Sequence, residues 1–432
     1  ISFNKNYLLA YNNLANSYHE LARYKEAVEN YKKVFEINKN YKFILGRLIH
    51  SQMYLCDWKD FDKNIDLLIS GLKNNEKICA PFVALNSIDN PELQKICSEI
   101  NAKDKASSVN YDILKNKKNK KDKYRIGYFS PDFRNHPVLH LIRDVFKHHN
   151  KSKFEIYAFS FEPQKNDEMT DEIKEYFSEF IEVKNMSSSD IRNFCRKKGL
   201  DIAIDLCGFT SFNRFEIFAE RLAPIQINYL GYPGTMGSYC YDYIIADKTI
   251  IPEEEKENYS EKIIYLPNCY QPNSNYQNIE EKSLSKEKFN LAEDKIIYCN
   301  LGSNHKITPQ IFRTWMNILK KVPNSILWLM KPNTYAIKNI EDEAFKHGIG
   351  NERIIFAENL PHNNHLDRLR LADIFLDTFP YNAHTTASDA IRMGVPIVTL
   401  NGRSFASRVC TSILNQVNME KLTTNSVKKY EE

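Results

Sequence analysis

The sequence predicts an α/β protein in which two parallel-sheet lobes follow an α-helical arm. Three observations predict it. The first hundred residues read as helical hairpins, short β-branched or aromatic runs alternate with helical stretches from Tyr124 onward, and that alternation breaks over a polar segment before restarting at Ile296. A chain of 432 residues is too long for one hydrophobic core, so two or three domains are expected.

The composition, 42% hydrophobic and 26% charged, is that of a globular protein. A net charge of +4 from 59 basic and 55 acidic residues is too weak to argue for a nucleic-acid partner. The cysteines are odd in number, scattered and never spaced as CxxC, which speaks against a disulfide framework or a zinc site and for a reducing cytoplasm. No apolar run approaches the roughly 20 residues of a membrane helix, and no signal peptide is present, so no membrane association is expected. The chain begins at Ile1 in mid-pattern and stops soon after a helix, as a fragment lacking C-terminal elements would.

In the arm, Tyr11, Leu14, Ala15, Tyr18, Ala27, Tyr31 and Val34 alternate large and small residues as two closely packed antiparallel helices require. Asn4-Lys5-Asn6-Tyr7 recurs as Asn38-Lys39-Asn40-Tyr41, a spacing of 34 residues, which is the tetratricopeptide period. The pattern degenerates through Cys56-Asp57-Trp58, as in a terminal repeat packed on another domain. The arm is assigned residues 1–105. Residues 106–123 form a basic linker whose run KNKKNKKDK, from Lys115 to Lys123, has no apolar periodicity.

The first lobe, residues 124–266, carries strand-like runs at Tyr124–Ser130, Phe154–Phe161, Phe180–Val183, Asp201–Leu206, Ile225–Leu230, Tyr243–Ala246 and Lys262–Leu266, with helices between several of them. That order implies a parallel sheet covered on both faces. Residues 267–290 are polar, with Pro and Asn clusters, and read as the connection to the second lobe, residues 291–432. There the strands are Ile296–Leu301, Ser325–Met330, Arg353–Phe356, Ile374–Leu376 and Ile397–Leu400, with helices from Pro309, near 336–347, near 364–371, from Thr385 and over Phe405–Asn415. Two such sheets imply a ligand cleft at the carboxyl ends of their strands.

Two places carry candidate chemistry. After the apolar run Ile374–Leu376, the segment Asp377–Ala390 opens a helix with His384, Thr385 and Thr386, whose free N–H groups and hydroxyls suit a phosphate or form an ordinary cap. Asp389 lies one turn further in. In the first lobe, Pro137 suits the first turn of a helix and places His136 at its cap.

Four segments, SPDFRNHPVLH (Ser130–His140), LAPIQINYLGYPGT (Leu222–Thr235), HKITPQIFRTWMNILKKVPNSILWLMK (His305–Lys331) and DTFPYNAHTTASDA (Asp377–Ala390), occur in one order over nearly the whole chain. In that order the sequence resembles the O-linked N-acetylglucosamine transferases and SPINDLY-type proteins of glycosyltransferase family 41. The resemblance implies a GT-B fold of two Rossmann-like lobes behind the tetratricopeptide arm. It also implies a nucleotide sugar held mainly by the C-terminal lobe, with no metal and no cofactor. Beyond residue 123 the sequence has no DxD pair; Asp60-Phe61-Asp62 lies in the arm.

On the same resemblance, Lys306 contacts the donor diphosphate, His384, Thr385 and Thr386 contact the phosphates, Asp389 holds the ribose, and His365 lies near the nucleotide. His136 matches a histidine of the catalytic site whose role as base is open, since the donor's own phosphate could take the proton. Phe209 replaces an imidazole found in bacterial relatives, Ser303 stands where animal members have Gln, and His362 stands where they are often basic. The expected activity is inverting transfer of N-acetylglucosamine from UDP-GlcNAc to Ser or Thr hydroxyls of protein or peptide acceptors guided by the arm. The alternatives are fucosyl transfer from GDP-fucose and a non-catalytic scaffold with a decayed transferase domain.

Overall fold

The structure, a computed structural model, describes residues 7–106, 122–161, 167–275 and 284–432. Most of the basic linker, residues 276–283 of the polar connection and the first Asn-Lys-Asn of the repeat recurrence lie outside the described residues. The chain forms two compact units, Ile1–Leu93 with Asn278–Glu432, and Gln94–Gln277.

The arm comprises α1 (Leu8–Glu20), α2 (Tyr24–Ile37), α3 (Ile44–Tyr54), α4 (Phe61–Lys73), α5 (Pro81–Ser87) and α6 (Pro91–Ala106). Its first hairpin closes because the fully buried Ala15 and Ala27 let two helices approach, with Tyr11, Tyr31 and Val34 filling the space around them. Leu14 is only half-buried. The pattern degenerates after α3 because the residues there serve a different core. Cys56 and Trp58 pack into the hydrophobic core of the C-terminal sheet, the Trp58 ring 5.1 Å from Phe312. The amides of Asn304 and Asn333 donate to the Tyr54 carbonyl at 2.9 and 2.8 Å, and Asn339 donates to the Leu55 carbonyl at 2.9 Å, capping the end of α3.

The unit Gln94–Gln277 contains β1 (Tyr124–Ser130), α7 (Pro137–Lys147), β2 (Phe154–Ser160), α8 (Glu168–Lys174), β3 (Glu179–Glu182), α9 (Ser188–Lys198), β4 (Ile202–Asp205), α10 (Phe215–Ala219), β5 (Ile225–Asn228), β6 (Tyr243–Ala246) and β7 (Lys262–Tyr265). The strands form one sheet in the order β3-β2-β1-β4-β5-β6-β7, paired in parallel with Ile126 between Ile156 and Ile202. Most of α6 belongs here: Lys95 donates to the Glu257 carbonyl and Lys105 to Asn213 Oδ1, both at 2.7 Å.

The C-terminal sheet is built from β8 (Ile296–Asn300), α11 (Pro309–Lys321), β9 (Ser325–Met330), α12 (Thr334–Lys346), β10 (Ile354–Ala357), α13 (His362–Leu369), β11 (Ile374–Leu376), α14 (Thr385–Arg392), β12 (Ile397–Leu400), α15 (Val409–Gln416), β13 (Thr423–Thr424) and α16 (Val427–Glu431). The order is β10-β9-β8-β11-β12-β13, again parallel. β13 is two residues long, too short to show any period in sequence. Each sheet reverses its strand order once, between β1 and β4 and between β8 and β11. Ligands of open α/β sheets bind outside the carboxyl ends of the strands at such points.

Candidate functional site

The loops after β8 and β11 meet at the second of these reversals. Asp377, directly after β11, is fully buried and accepts hydrogen bonds from Thr378 N at 2.8 Å, Ala383 N at 2.6 Å and Thr399 Oγ1 at 2.6 Å. Those bonds fold the 378–383 loop back over its own strand. Burial pushes the Asp377 carboxyl up to about 6 despite them. Tyr430, from α16, donates to the Asp377 carbonyl at 2.8 Å.

Lys306 enters from the β8 side. Its ammonium lies 3.8 Å above the centre of the Tyr381 ring and donates to the Asn382 carbonyl at 3.2 Å. Burial pushes it down to about 7, opposed by the charge of Asp377. A lysine poised there gains most from an arriving anion, which restores the charged form.

His384 stacks on the other side of the site, its ring 4.7 Å from that of Tyr381 at an angle of 23°. Its Nε2 lies 3.1 Å from the Ala406 carbonyl, which can only accept, so Nε2 carries the proton and Nδ1 keeps the lone pair. Burial and the neighbouring Lys306 hold the imidazole well below its ordinary value, so it is neutral. Positive charge at this site therefore comes from Lys306 and from α14.

The N-cap of α14 is His384, and its side chain makes no capping bond. Thr385 and Thr386 are half-buried, and their amides and hydroxyls have no partner among the described residues. Asp389, one turn along the same face, is 7% exposed, and its carboxyl makes no hydrogen bond to any described residue. Burial pushes its carboxyl up to about 7, opposed by Arg392. An unpartnered helix start with an unpartnered buried carboxyl group a turn below is an unfilled set of donors and acceptors.

The remaining predicted residues of this lobe lie around it. α13 packs beside α14 and carries His362, half-buried at its first position, and His365. His365 Nδ1 is 2.7 Å from Arg368 Nη2 and accepts from it, which places the ring proton on Nε2; burial pushes the imidazole down to about 3. Ser303 is exposed, and its hydroxyl bonds His305 Nδ1 at 2.7 Å. His305 is buried against Tyr54, His50 and Phe82 of the arm, at 4.8, 5.8 and 6.0 Å between ring centres. Lys306, Ser303, His384, Thr385, Thr386 and Asp389 are thus gathered at one strand reversal.

His136 belongs to the other compact unit and caps α7, its Nδ1 accepting from Val138 N at 3.3 Å. That bond leaves the proton on Nε2, which faces Asp132 Oδ1 at 3.6 Å. Burial and Arg134 push the imidazole down to about 4. A neutral ring with Nδ1 occupied donates a hydrogen bond from Nε2 and has no lone pair there to take a proton. Phe209 is buried and packs against Phe215 and Tyr232 at 5.3 and 5.5 Å. Tyr381 and Asn382, inside the Asp377–Ala390 segment, and Ala406, which together place Lys306 and His384, were not site candidates in sequence, because an aromatic, an amide and a backbone carbonyl acquire these roles only through contact.

The family model of glycosyl transferase family 41 matches residues 55–283 and 277–432. A probable UDP-N-acetylglucosamine–peptide N-acetylglucosaminyltransferase SEC of Arabidopsis thaliana is 37% identical over 314 residues, 71% of this chain and 32% of that protein. The UDP-N-acetylglucosamine–peptide N-acetylglucosaminyltransferase of Caenorhabditis elegans is 23% identical over 504 residues, 87% of this chain and 44% of that protein. A probable UDP-N-acetylglucosamine–peptide N-acetylglucosaminyltransferase SPINDLY of Solanum lycopersicum is 28% identical over 71% of this chain and 33% of its own length. The chain spans about a third to under half the length of these relatives. A solved O-GlcNAc transferase mutant of Thermobaculum terrenum superposes with a TM-score of 0.83 at 22% identity, covering 100% of this chain and 82% of that one, and so shares its fold. With two parallel sheets, an arm joined to the second and a family match over most of its length, the chain belongs to glycosyl transferase family 41.

Proposed function

We propose that this chain is an inverting, metal-independent glycosyltransferase that moves N-acetylglucosamine from UDP-GlcNAc to Ser or Thr hydroxyls of protein or peptide acceptors. The observation that carries the reading is the unfilled set at the β8/β11 reversal. Lys306 and the free amides and hydroxyls of Thr385 and Thr386 suit a diphosphate, and Asp389 one turn below suits the ribose hydroxyls. The names of the Arabidopsis and Caenorhabditis relatives support UDP-N-acetylglucosamine as donor and a peptide as acceptor.

In the proposed step the acceptor oxygen bonds to the anomeric carbon from the face opposite the leaving group. The bond from that carbon to the β-phosphate oxygen breaks, and its electron pair departs with UDP. Lys306 and the α14 amides meet the charge that grows on the diphosphate, the task a metal ion performs in other transferases. The acceptor proton passes to a phosphate oxygen of the donor; His136, a catalytic-site residue by the family resemblance, carries its proton on Nε2 and has no lone pair there to take another. The arm guides the acceptor chain.

Thermal-shift measurements with UDP, UDP-GlcNAc and GDP-fucose test the reading. A ligand at a hundred times its dissociation constant adds about 2.7 kcal/mol. Stabilisation by UDP and UDP-GlcNAc is expected. Stabilisation by GDP-fucose alone moves the donor to the fucose alternative, and no shift with any of the three leaves a scaffold.

A further inference from the structure

Outside the site, one carboxylate of the arm is fully engaged with a turn of the nucleotide lobe. Asp89, between α5 and α6, accepts from Arg403 N at 2.9 Å, from Ser404 N at 2.8 Å and from Ser407 Oγ at 2.7 Å. Ser404 and Ser407 are fully buried. Gly402 leaves the room this requires, since a Cβ there would stand 2.4 Å from both Asp89 Oδ2 and Ser407 Oγ. The turn is closed on itself by Gly402 N to the Ser407 carbonyl at 3.2 Å and Ser407 N to the Ser404 carbonyl at 3.2 Å.

The opposite side of this turn faces the site. The Ala406 carbonyl accepts from His384 Nε2 at 3.1 Å and from Asn382 N at 3.0 Å. Asn382 in turn presents its own carbonyl to Lys306 Nζ at 3.2 Å. One carbonyl thus sets the His384 tautomer and places the peptide that holds the lysine. The position of that carbonyl depends on where Asp89 fixes the turn.

We propose that Asp89 is a positioning residue for the diphosphate site, acting through the Gly402–Ser407 turn and the Ala406 carbonyl on His384, Asn382 and Lys306. The inference rests on the nucleotide-sugar reading of that site. It makes the arm part of donor binding as well as of acceptor guidance. Removing the carboxylate takes the acceptor from the amide of exposed Arg403 and from that of buried Ser404, leaves the Ser407 hydroxyl only the Ser404 carbonyl at 2.9 Å, and lets the turn relax away from the site.

Calorimetric titration with UDP separates this from a purely structural role. Asp89→Ala and, as a milder variant that keeps the carboxylate, Ser407→Ala are expected to bind UDP roughly threefold to thirtyfold more weakly, the range of coupling through such networks. In the assay with UDP-GlcNAc the loss appears as raised KM for donor with KM for acceptor unchanged. Combined with His384→Ala, either variant adds little further loss, because both changes act through Ala406. Wild-type affinity in both single variants, or losses that multiply with that of His384→Ala, overturns the inference and leaves the site reading standing. A wild-type protein that does not bind UDP overturns both. If Asp89→Ala does not fold, Ser407→Ala carries the test alone.

Discussion

The ammonium of Lys306 is the group on which the proposed chemistry depends most. Lys306→Ala should lower turnover about 10²–10³-fold, the cost of losing one group that stabilises leaving-group charge, while the protein still unfolds cooperatively in urea. Turnover equal to wild type would remove the residue from its role. The same lysine predicts a pH profile. Burial pushes it down to about 7, so it is charged below that value and neutral above it. Affinity for UDP-GlcNAc, whose diphosphate does not titrate near neutrality, should therefore fall as pH rises above about 7, by up to roughly tenfold per pH unit. Uridine tests the other end of the site. Asp389 is pushed up to about 7 and accepts ribose hydroxyls best as a carboxylate, so uridine affinity should rise as pH increases toward that value. Titrations between pH 6 and 9 check this: uridine should show the rising limb alone, UDP-GlcNAc, which meets both groups, a maximum near pH 7, and Asp389→Asn should remove the rising limb from both.

Among the elements, α14 shows how tertiary contact decided a local ambiguity. Its first turn, His384-Thr385-Thr386, reads in sequence equally as a phosphate-binding start or as a threonine cap. The structure makes His384 the N-cap, with its imidazole committed to the Ala406 carbonyl, so both threonines stay available. α6 shows a different effect. Most of it packs with the N-terminal sheet because Gly237, at φ +61, lets the loop after β5 touch the helix: a Cβ there would lie 2.4 Å from Glu99 N. Gly237→Ala should therefore destabilise the unit by about 2 kcal/mol or more, read as a lowered urea midpoint. A midpoint unchanged from wild type would mean that the helix can shift without cost.

For the whole molecule, the arm as far as Leu93 and the C-terminal sheet are one compact unit, with Cys56 inside the sheet's own core and Trp58 packed against it. Trp58→Ala should cost about 3 kcal/mol, and UDP binding should be lost at the same urea concentration as the helical signal of the arm. Two separated transitions would contradict that unity. The strand and helix runs were legible because β-branched alternation and helical spacing are local properties, and the 34-residue recurrence is visible without any structure. How the elements group was not legible. Cys56-Asp57-Trp58 looks in sequence like decay of a repeat, and only Phe312, far along the chain, shows what it packs against.

By itself the sequence determined the α/β class, the runs that form the parallel strands β1 to β12, the helical arm and the residue types gathered near Lys306 and His384. These follow from period, turn chemistry and motif, all of which act over a few residues. The tertiary structure alone decided which of those groups are charged and which are already engaged. Neutral His384, a lysine at about 7 and a carboxyl group at about 7 all result from burial and from the packing around them. Desolvation and hydrogen-bond geometry belong to the packed molecule, and so the protonation state of this site does too.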